Sequence, residues 1–289
     1  MFTIESPAIK AVINPKGAEL TSLVHKEYAQ EYMWSGDPAF WGKYSPVLFP
    51  IVGTLKNNQF FYKDQPYTLP RHGFARDQQF AVETQAPDAI TFLIKSNEES
   101  LKVFPFHFEF RIRYTALGNS LAVTYEVTNT GKEEMYFSVG GHPAFRVPLT
   151  GDTSYDDYVL SFEREETAPR WPISPDGLID EPAQTLLQGT RQLPLTKALF
   201  QKDALVLKAL KSSRISLRSE KTNHGIDMDF PGFPFFGIWA AKNADFVCLE
   251  PWCGIADGVG ASQQITEKEG INKLKPKEVF TRTWTVSVF

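Results

Sequence analysis

The chain has 289 residues, 42% of them hydrophobic, and a net charge of −4, with an isoelectric point near 5.8. That is enough apolar material for one large β-domain or two ordinary domains. The scattered Lys and Arg residues form no basic stripe for a nucleic-acid groove or an anionic membrane surface.

Taken in chain order, the elements read as strands. The N-terminal "MFTIESPAIKAVINPKG" has no cationic segment followed by an apolar run, so no secretory leader is expected. It alternates apolar and polar residues instead, as do "FAVETQ", "AITFLIKS", "FEFRIRYTAL" and "SLAVTYEVTNT". The segment 120–139 reads as a hairpin turning at Asn129-Thr130-Gly131, because Asn and Gly tolerate left-handed dihedrals. Further strands follow in "DYVLSFE", "ALVLKAL", "RISLRSE", "FFGIWAA", "FVCLEPW" and "VFTRTWTVSVF". Only "GASQQITEKEGINKL" offers a short helix or loop. The longest apolar stretches, such as "DALVLKAL", are too short to span a bilayer as a helix. No repeat or linker divides the chain. Residues 1–289 are therefore expected to form a single all-β domain, an antiparallel β-sandwich.

The two cysteines, Cys248 and Cys253, stand in a C-x4-C spacing with no second pair. That argues against a zinc knuckle and against a disulfide framework, and it leans towards a reducing cytoplasm. No H-x-H pair, H-E-x-x-H, G-x-S-x-G elbow, phosphate loop or dinucleotide fingerprint is present, so neither a metal nor a cofactor is expected.

Chemistry concentrates in four places. In "MYFSVGGHPAF", His142 follows Gly140-Gly141, which permit close approach to the backbone, and precedes Pro143. It is either a functional imidazole or a buried histidine satisfying a turn carbonyl. In "LPRHGFAR", His72 lies among Arg71 and Arg76, a donor-rich loop suited to a hydroxylated or phosphorylated ligand, or simply solvated. In "FVCLEPWCG", Glu250 ends an apolar strand beside Pro251 and Trp252. Desolvation there would raise its pKa into the range of a general base, unless a structural arginine pairs with it. In "GIDMDFPGFPFFGIW", Asp227 and Asp229 share one strand face near aromatic rings, an arrangement that fits a sugar or a plain aromatic core. Glu250 and Asp227 could alternatively be the two carboxylates of a glycoside hydrolase.

The segments "SPVLFPIVGTLKNNQF", "LPRHGFARDQQF", "SVGGHPAF", "FPGFPFFGIW" and "VCLEPWCGIAD" together resemble the aldose 1-epimerase (galactose mutarotase-like) family, particularly its LacX branch. The resemblance implies a large β-sandwich with an open groove, no cofactor, and a small sugar as partner, either a hexose or a hexose phosphate. No nucleic acid or membrane is implied, and the chain would be a monomer or homodimer. It also implies roles. His142 would be the general acid at the ring oxygen and Glu250 the base at the anomeric hydroxyl. His72, Arg76 and Trp252 would hold the sugar, together with Asp227 or its fallback Asp229. Better-known galactose mutarotases carry an Asn-Arg pair after a glycine-rich early strand, where this chain has "GTLKNNQF". Lys56 or Asn57 would substitute there, and Arg71, Arg76, Lys43 and Lys56 could meet a phosphate.

Overall fold

The computed structural model describes all 289 residues. It is built almost wholly from antiparallel strands, with one α-helix, Glu98–Val103. That helix starts at a reciprocal cap, in which Asn97 accepts from the Ser100 amide while the Ser100 hydroxyl accepts from the Asn97 amide. The segment 260–274 contains only a short 3-10 turn, Ile265–Glu267, and the strand Asn272–Leu274. No helix is long and apolar enough to cross a membrane.

The largest sheet has nine strands. In spatial order these are Gln184–Pro194, Tyr158–Arg170, Arg214–Ser219, Thr222–Asp229, Val279–Val288, Ser120–Asn129, Phe108–Leu117, Ala89–Lys95 and Ala81–Gln85. A second sheet orders Leu205–Lys208, Phe235–Trp239, Phe246–Cys253, Val139–Gly141 and Val47–Leu48, with Ala144–Arg146 also paired to Phe246–Cys253. The two pack face to face. Phe49, directly after the edge strand Val47–Leu48, stacks on Phe110 at 4.4 Å between ring centroids, and Phe137 of the short strand Met135–Phe137 meets Phe280 edge-on at 5.3 Å. A single apolar cluster runs from Ile4 to Val288. The strict alternation along Ser120–Asn129, every second residue buried, is the pattern of a strand with one face in that core.

The hairpin expected over 120–139 does not form. Ser120–Asn129 pairs with Phe108–Leu117 through a tight turn at Gly118-Asn119, and on its other edge with Val279–Val288. Gly118 has φ +56, the left-handed conformation such a turn needs. Asn129 instead steers the chain out of the sheet. Its side-chain amide donates to the Glu133 and Leu274 carbonyls, and its side-chain oxygen accepts from the Gly131 amide. Met135–Phe137 then pairs with Asn272–Leu274. The local turn signal was real, but it marks a crossing between sheets.

Two glycines in the second sheet answer to one side chain. Gly140 pairs with Trp252, and Gly237 with Glu250, on the strands flanking Phe246–Cys253. A Cβ on Gly237 would lie 2.4 Å from the Trp252 ring, and one on Gly140 would lie 2.7 Å from it. The Trp252 indole therefore lies across both neighbouring strands. Gly141 faces the opposite way, where a Cβ would come within 2.8 Å of the Tyr125 hydroxyl and 3.0 Å of Trp284 Nε1. The glycine pair before His142 thus makes room for a tryptophan and for core packing, and not for a ligand. Gly237→Ala should displace the indole and cost about 1–3 kcal/mol of stability by overpacking. A melting temperature unchanged from wild type, with unaltered tryptophan fluorescence, would contradict that account.

Candidate active site

Three side chains at the second sheet define a buried floor. Phe246–Cys253 points Glu250 and Trp252 to the same side, being two residues apart. His142 follows the neighbouring strand Val139–Gly141 and brings its Nε2 to 3.4 Å from Glu250 Oε1. His142 is 8% exposed and Glu250 2%. Trp41 stacks on the His142 ring at 5.0 Å, and Trp239 meets it edge-on at 5.6 Å, so the imidazole is fixed between aromatic faces.

His72 completes the group from a turn that only a constrained backbone can make. It has φ +69, its amide donates to the Gly53 carbonyl, and the next residue, Gly73, has φ +71. A Cβ on Gly73 would sit 2.3 Å from the Phe49 carbonyl oxygen, so glycine is required there. The Gly53 amide donates to His72 Nδ1 at 3.1 Å. That leaves the proton of a neutral ring on Nε2. The His72 ring stands perpendicular to that of His142, 5.8 Å away.

Burial sets the charge states. It pushes the Glu250 carboxyl well above its ordinary value, offset in part by the Arg71 charge and the Trp252 indole. It pulls the His142 imidazole down to about 3, offset in part by its own main-chain carbonyl. His72 is likewise held well below its usual value, first by burial and then by the charge of His142 and of the nearby arginines. The resting floor thus favours a protonated carboxyl and neutral rings. No other protein group closes a hydrogen bond onto His142 Nδ1 or Trp252 Nε1.

These residues line a cleft of about 460 Å³, within the usual range for small-molecule sites. Arg71, Arg76, Asp203 and Lys242 supply its charged walls, with Trp41, Trp239 and Trp252 as aromatic surfaces. The Arg76 guanidinium donates to the Arg71 carbonyl at 2.8 Å, and its Nε makes no hydrogen bond, lying 3.8 Å from Asp77 Oδ2 in a loose ion pair. Arg71 lies 3.9 Å from Asp203. Ile173, Gly177 and Ile179 close one side.

Of the residues expected from sequence, His142, Glu250, His72, Arg71, Arg76 and Trp252 come together in this cleft, whereas Asp227, Asp229, Lys56, Asn57 and Lys43 do not. Asp227 is committed on the nine-stranded sheet, accepting from the Ser216 hydroxyl at 2.5 Å and from Arg218 at 2.7 Å. Asp229 is held by Arg214 at 2.7 Å. Both point where cross-strand partners exist, and neither lines the cleft. The glycoside-hydrolase pairing of Glu250 with Asp227 falls with that placement. Lys56 lies in a tight turn whose amide donates to Asp257 and whose carbonyl accepts from Gln263, and its side chain is not in the cleft wall either. Lys43 sits by Asp77 at 3.7 Å, and neither it nor Asn57 lines the cleft. What sequence reading missed is Asp203, the only acid besides Glu250 lining the cleft, together with Trp41 and Lys242. Asp203 has φ +88 in an irregular loop, so no periodicity marks it.

Over residues 1–266 the chain matches the family model described as aldose 1-epimerase. It is 34% identical over 281 residues to the chromosomal protein LacX of Lactococcus lactis subsp. lactis, with 94% of each chain covered. Among solved structures it is similar to a galactose mutarotase related enzyme from Lactobacillus acidophilus. The TM-score is 0.94 and the identity 38%, with 100% of this chain and 97% of that one covered. A galactose mutarotase-like protein from Lactobacillus casei ATCC 334 gives a TM-score of 0.94 and 34% identity, with both chains fully covered. The antiparallel sandwich is shared with these galactose mutarotase-like structures, and the matched family model describes an epimerase, a class of isomerase. The chain belongs to the aldose 1-epimerase family.

The shift at Glu250 carries a consequence for stability. Its pKa is higher folded than unfolded, so its contribution is fully present below the unfolded value of 4.5 and is lost as pH rises through the folded value. Glu250→Gln should therefore melt above wild type at about pH 8, with the gap closing towards about pH 4.5. Parallel thermal melts at the two pH values test this, and a variant less stable than wild type at the alkaline end would refute the burial argument.

Proposed function

We propose that this chain interconverts the α and β anomers of a hexose by acid–base ring opening and closure, with His142 and Glu250 as the catalytic pair. The observation that carries the reading is the 3.4 Å contact between two buried groups of opposite proton affinity at the bottom of a sugar-sized cleft. In the reactive protonation state Glu250 is a carboxylate and His142 an imidazolium. Glu250 takes the proton of the anomeric hydroxyl as the C1–O1 double bond forms. The C1–O5 bond breaks, and His142 delivers its proton to O5. The products are a carboxylic acid and a neutral imidazole, the pair that burial favours, so desolvation assists opening. Rotation about C1–C2 and the reverse transfers close the ring on the other face.

The remaining lining residues suit a polyol. His72 offers a neutral N–H, Asp203 accepts from hydroxyls, Arg71 and Arg76 donate, and the tryptophan rings cover C–H faces. Three cations on one cleft, Arg71, Arg76 and Lys242, support a 6-phosphorylated hexose as the second reading.

Anomeric exchange followed by NMR, with glucose, galactose and their 6-phosphates, tests both. His142→Asn and Glu250→Gln should each lose on the order of 10²–10⁴-fold in rate while remaining folded. Exchange undiminished in either variant would remove that residue from the mechanism. The fastest substrate decides between free and phosphorylated sugar. In the same assay Asp203→Asn should raise KM by roughly 10-fold, the loss of about one charged hydrogen bond, while Asp227→Asn leaves KM alone. The opposite pattern would restore Asp227 to the site.

A further inference from the structure

Beneath the His–Glu pair lies a third side chain that the proton-transfer chemistry does not use. Cys248 is fully buried, two residues before Glu250 on the same strand, and so on the same side of the sheet. A ring nitrogen of His142, Cys248 Sγ and a carboxylate oxygen of Glu250 all lie within 4.8 Å of one another. We propose that this trio is a binding site for a thiophilic divalent cation such as Zn²⁺, and that the ion switches the enzyme off by occupying the catalytic pair.

The donor set carries the assignment. Imidazole nitrogen, thiolate sulfur and carboxylate oxygen are the three ligand types of tetrahedral zinc, with the fourth position open. Bond lengths of about 2.0–2.3 Å imply ligand–ligand edges of about 3.3–3.6 Å. The His142–Glu250 edge is already 3.4 Å, so mainly the sulfur must close in. None of the three is committed to another strong partner: the Glu250 carboxylate has no ion pair besides His142, and the Cys248 thiol is free of disulfide. Charge balances as well. The ion displaces the thiol proton and the proton shared by His142 and Glu250, both of which leave to solvent. A dication then faces one thiolate and one carboxylate, a neutral ensemble that a buried position tolerates where two bare anions would not be. Hard ions such as Mg²⁺ prefer six oxygens and are a poor match. The open fourth position faces the cleft where the sugar's reacting oxygens would sit, so ion and sugar exclude each other.

The inhibitory half of the proposal rests on the epimerase reading, whereas the binding half does not. The test titrates Cd²⁺ into the whole metal-stripped chain and follows thiolate-to-cadmium charge-transfer absorbance. In parallel, Zn²⁺ is titrated into the anomeric-exchange assay. One equivalent of Cd²⁺ should produce the band in wild type and in Cys253→Ser but not in Cys248→Ser. Cys248→Ser should keep its exchange activity and need about 100-fold more Zn²⁺ for the same inhibition, having lost one of three ligands. A band that persists in Cys248→Ser, no band in wild type at millimolar Cd²⁺, or equal Zn²⁺ inhibition of both proteins would overturn the site. Should Cys248→Ser fail to fold, cadmium NMR of wild type decides. A shift in the thiolate range supports the trio, and one in the oxygen–nitrogen range overturns it. If no sugar shows catalysed exchange, the epimerase reading fails while the cadmium band still reports on the site.

Discussion

A carboxyl group 2% exposed, held 3.4 Å from an imidazole that is itself buried, is costly to build. Neither group is tied down by a hydrogen-bond network, and both are shifted towards their neutral forms. Such an arrangement persists only if the surrounding backbone leaves the pair no way to relax into water. Here Glu250 lies on Phe246–Cys253, and His142 directly follows Val139–Gly141, the strand hydrogen-bonded beside it. That sheet is packed against a nine-stranded partner, with Gly141 against Tyr125 and Trp284, and with Phe49, next to the edge strand Val47–Leu48, stacked on Phe110. The sandwich therefore supplies the rigidity that the proposed proton transfer would need, and the residues around the pair keep it dry and oriented.

The aromatic residues do most of this. Trp41 and Trp239 clamp the His142 ring, and Phe246 backs both of them. Trp252 lies flat because Gly140 and Gly237 leave it the space, and its indole then faces a ligand cleft on one side and a small apolar cluster with Leu48, Val52 and Ile255 on the other. His72 is placed by a different device, a left-handed turn closed by Gly73 against the Phe49 carbonyl. The same turn delivers Arg71 and Arg76, so one strained loop sets a neutral donor and two cations at once.

In the two proposals, His142, Glu250 and Cys248 would put one geometry to two uses. Groups close enough to exchange a proton are close enough to share a metal ion, since both need lone pairs converging within a few ångströms. A carboxylate and an imidazole without other partners serve either purpose. What separates proton relay from metal site is whether a third soft donor lies in range, and the alternation of the strand brings Cys248 there.

The sequence alone determined the architecture and the centre of the site. Period-two alternation over Phe108–Leu117, Ser120–Asn129 and Val279–Val288 announces strands with one buried face, because side-chain direction in a strand is a local property. Motifs of adjacent residues, "RHGF", "GGHP" and "CLEPW", likewise marked His72, His142 and Glu250. Only the tertiary structure decided strand partners, and with them everything that depends on contacts between distant segments. Asn129 reads as a hairpin turn but bonds to Leu274, 145 residues away. Asp227 reads as a groove residue but finds Ser216 and Arg218 across its own sheet, while Asp203, in a loop without pattern, lines the cleft. The glycines before His142 answer to Trp252, Tyr125 and Trp284, none of which is a sequence neighbour. Periodicity encodes which way a side chain points, but not what the folded chain will place in front of it.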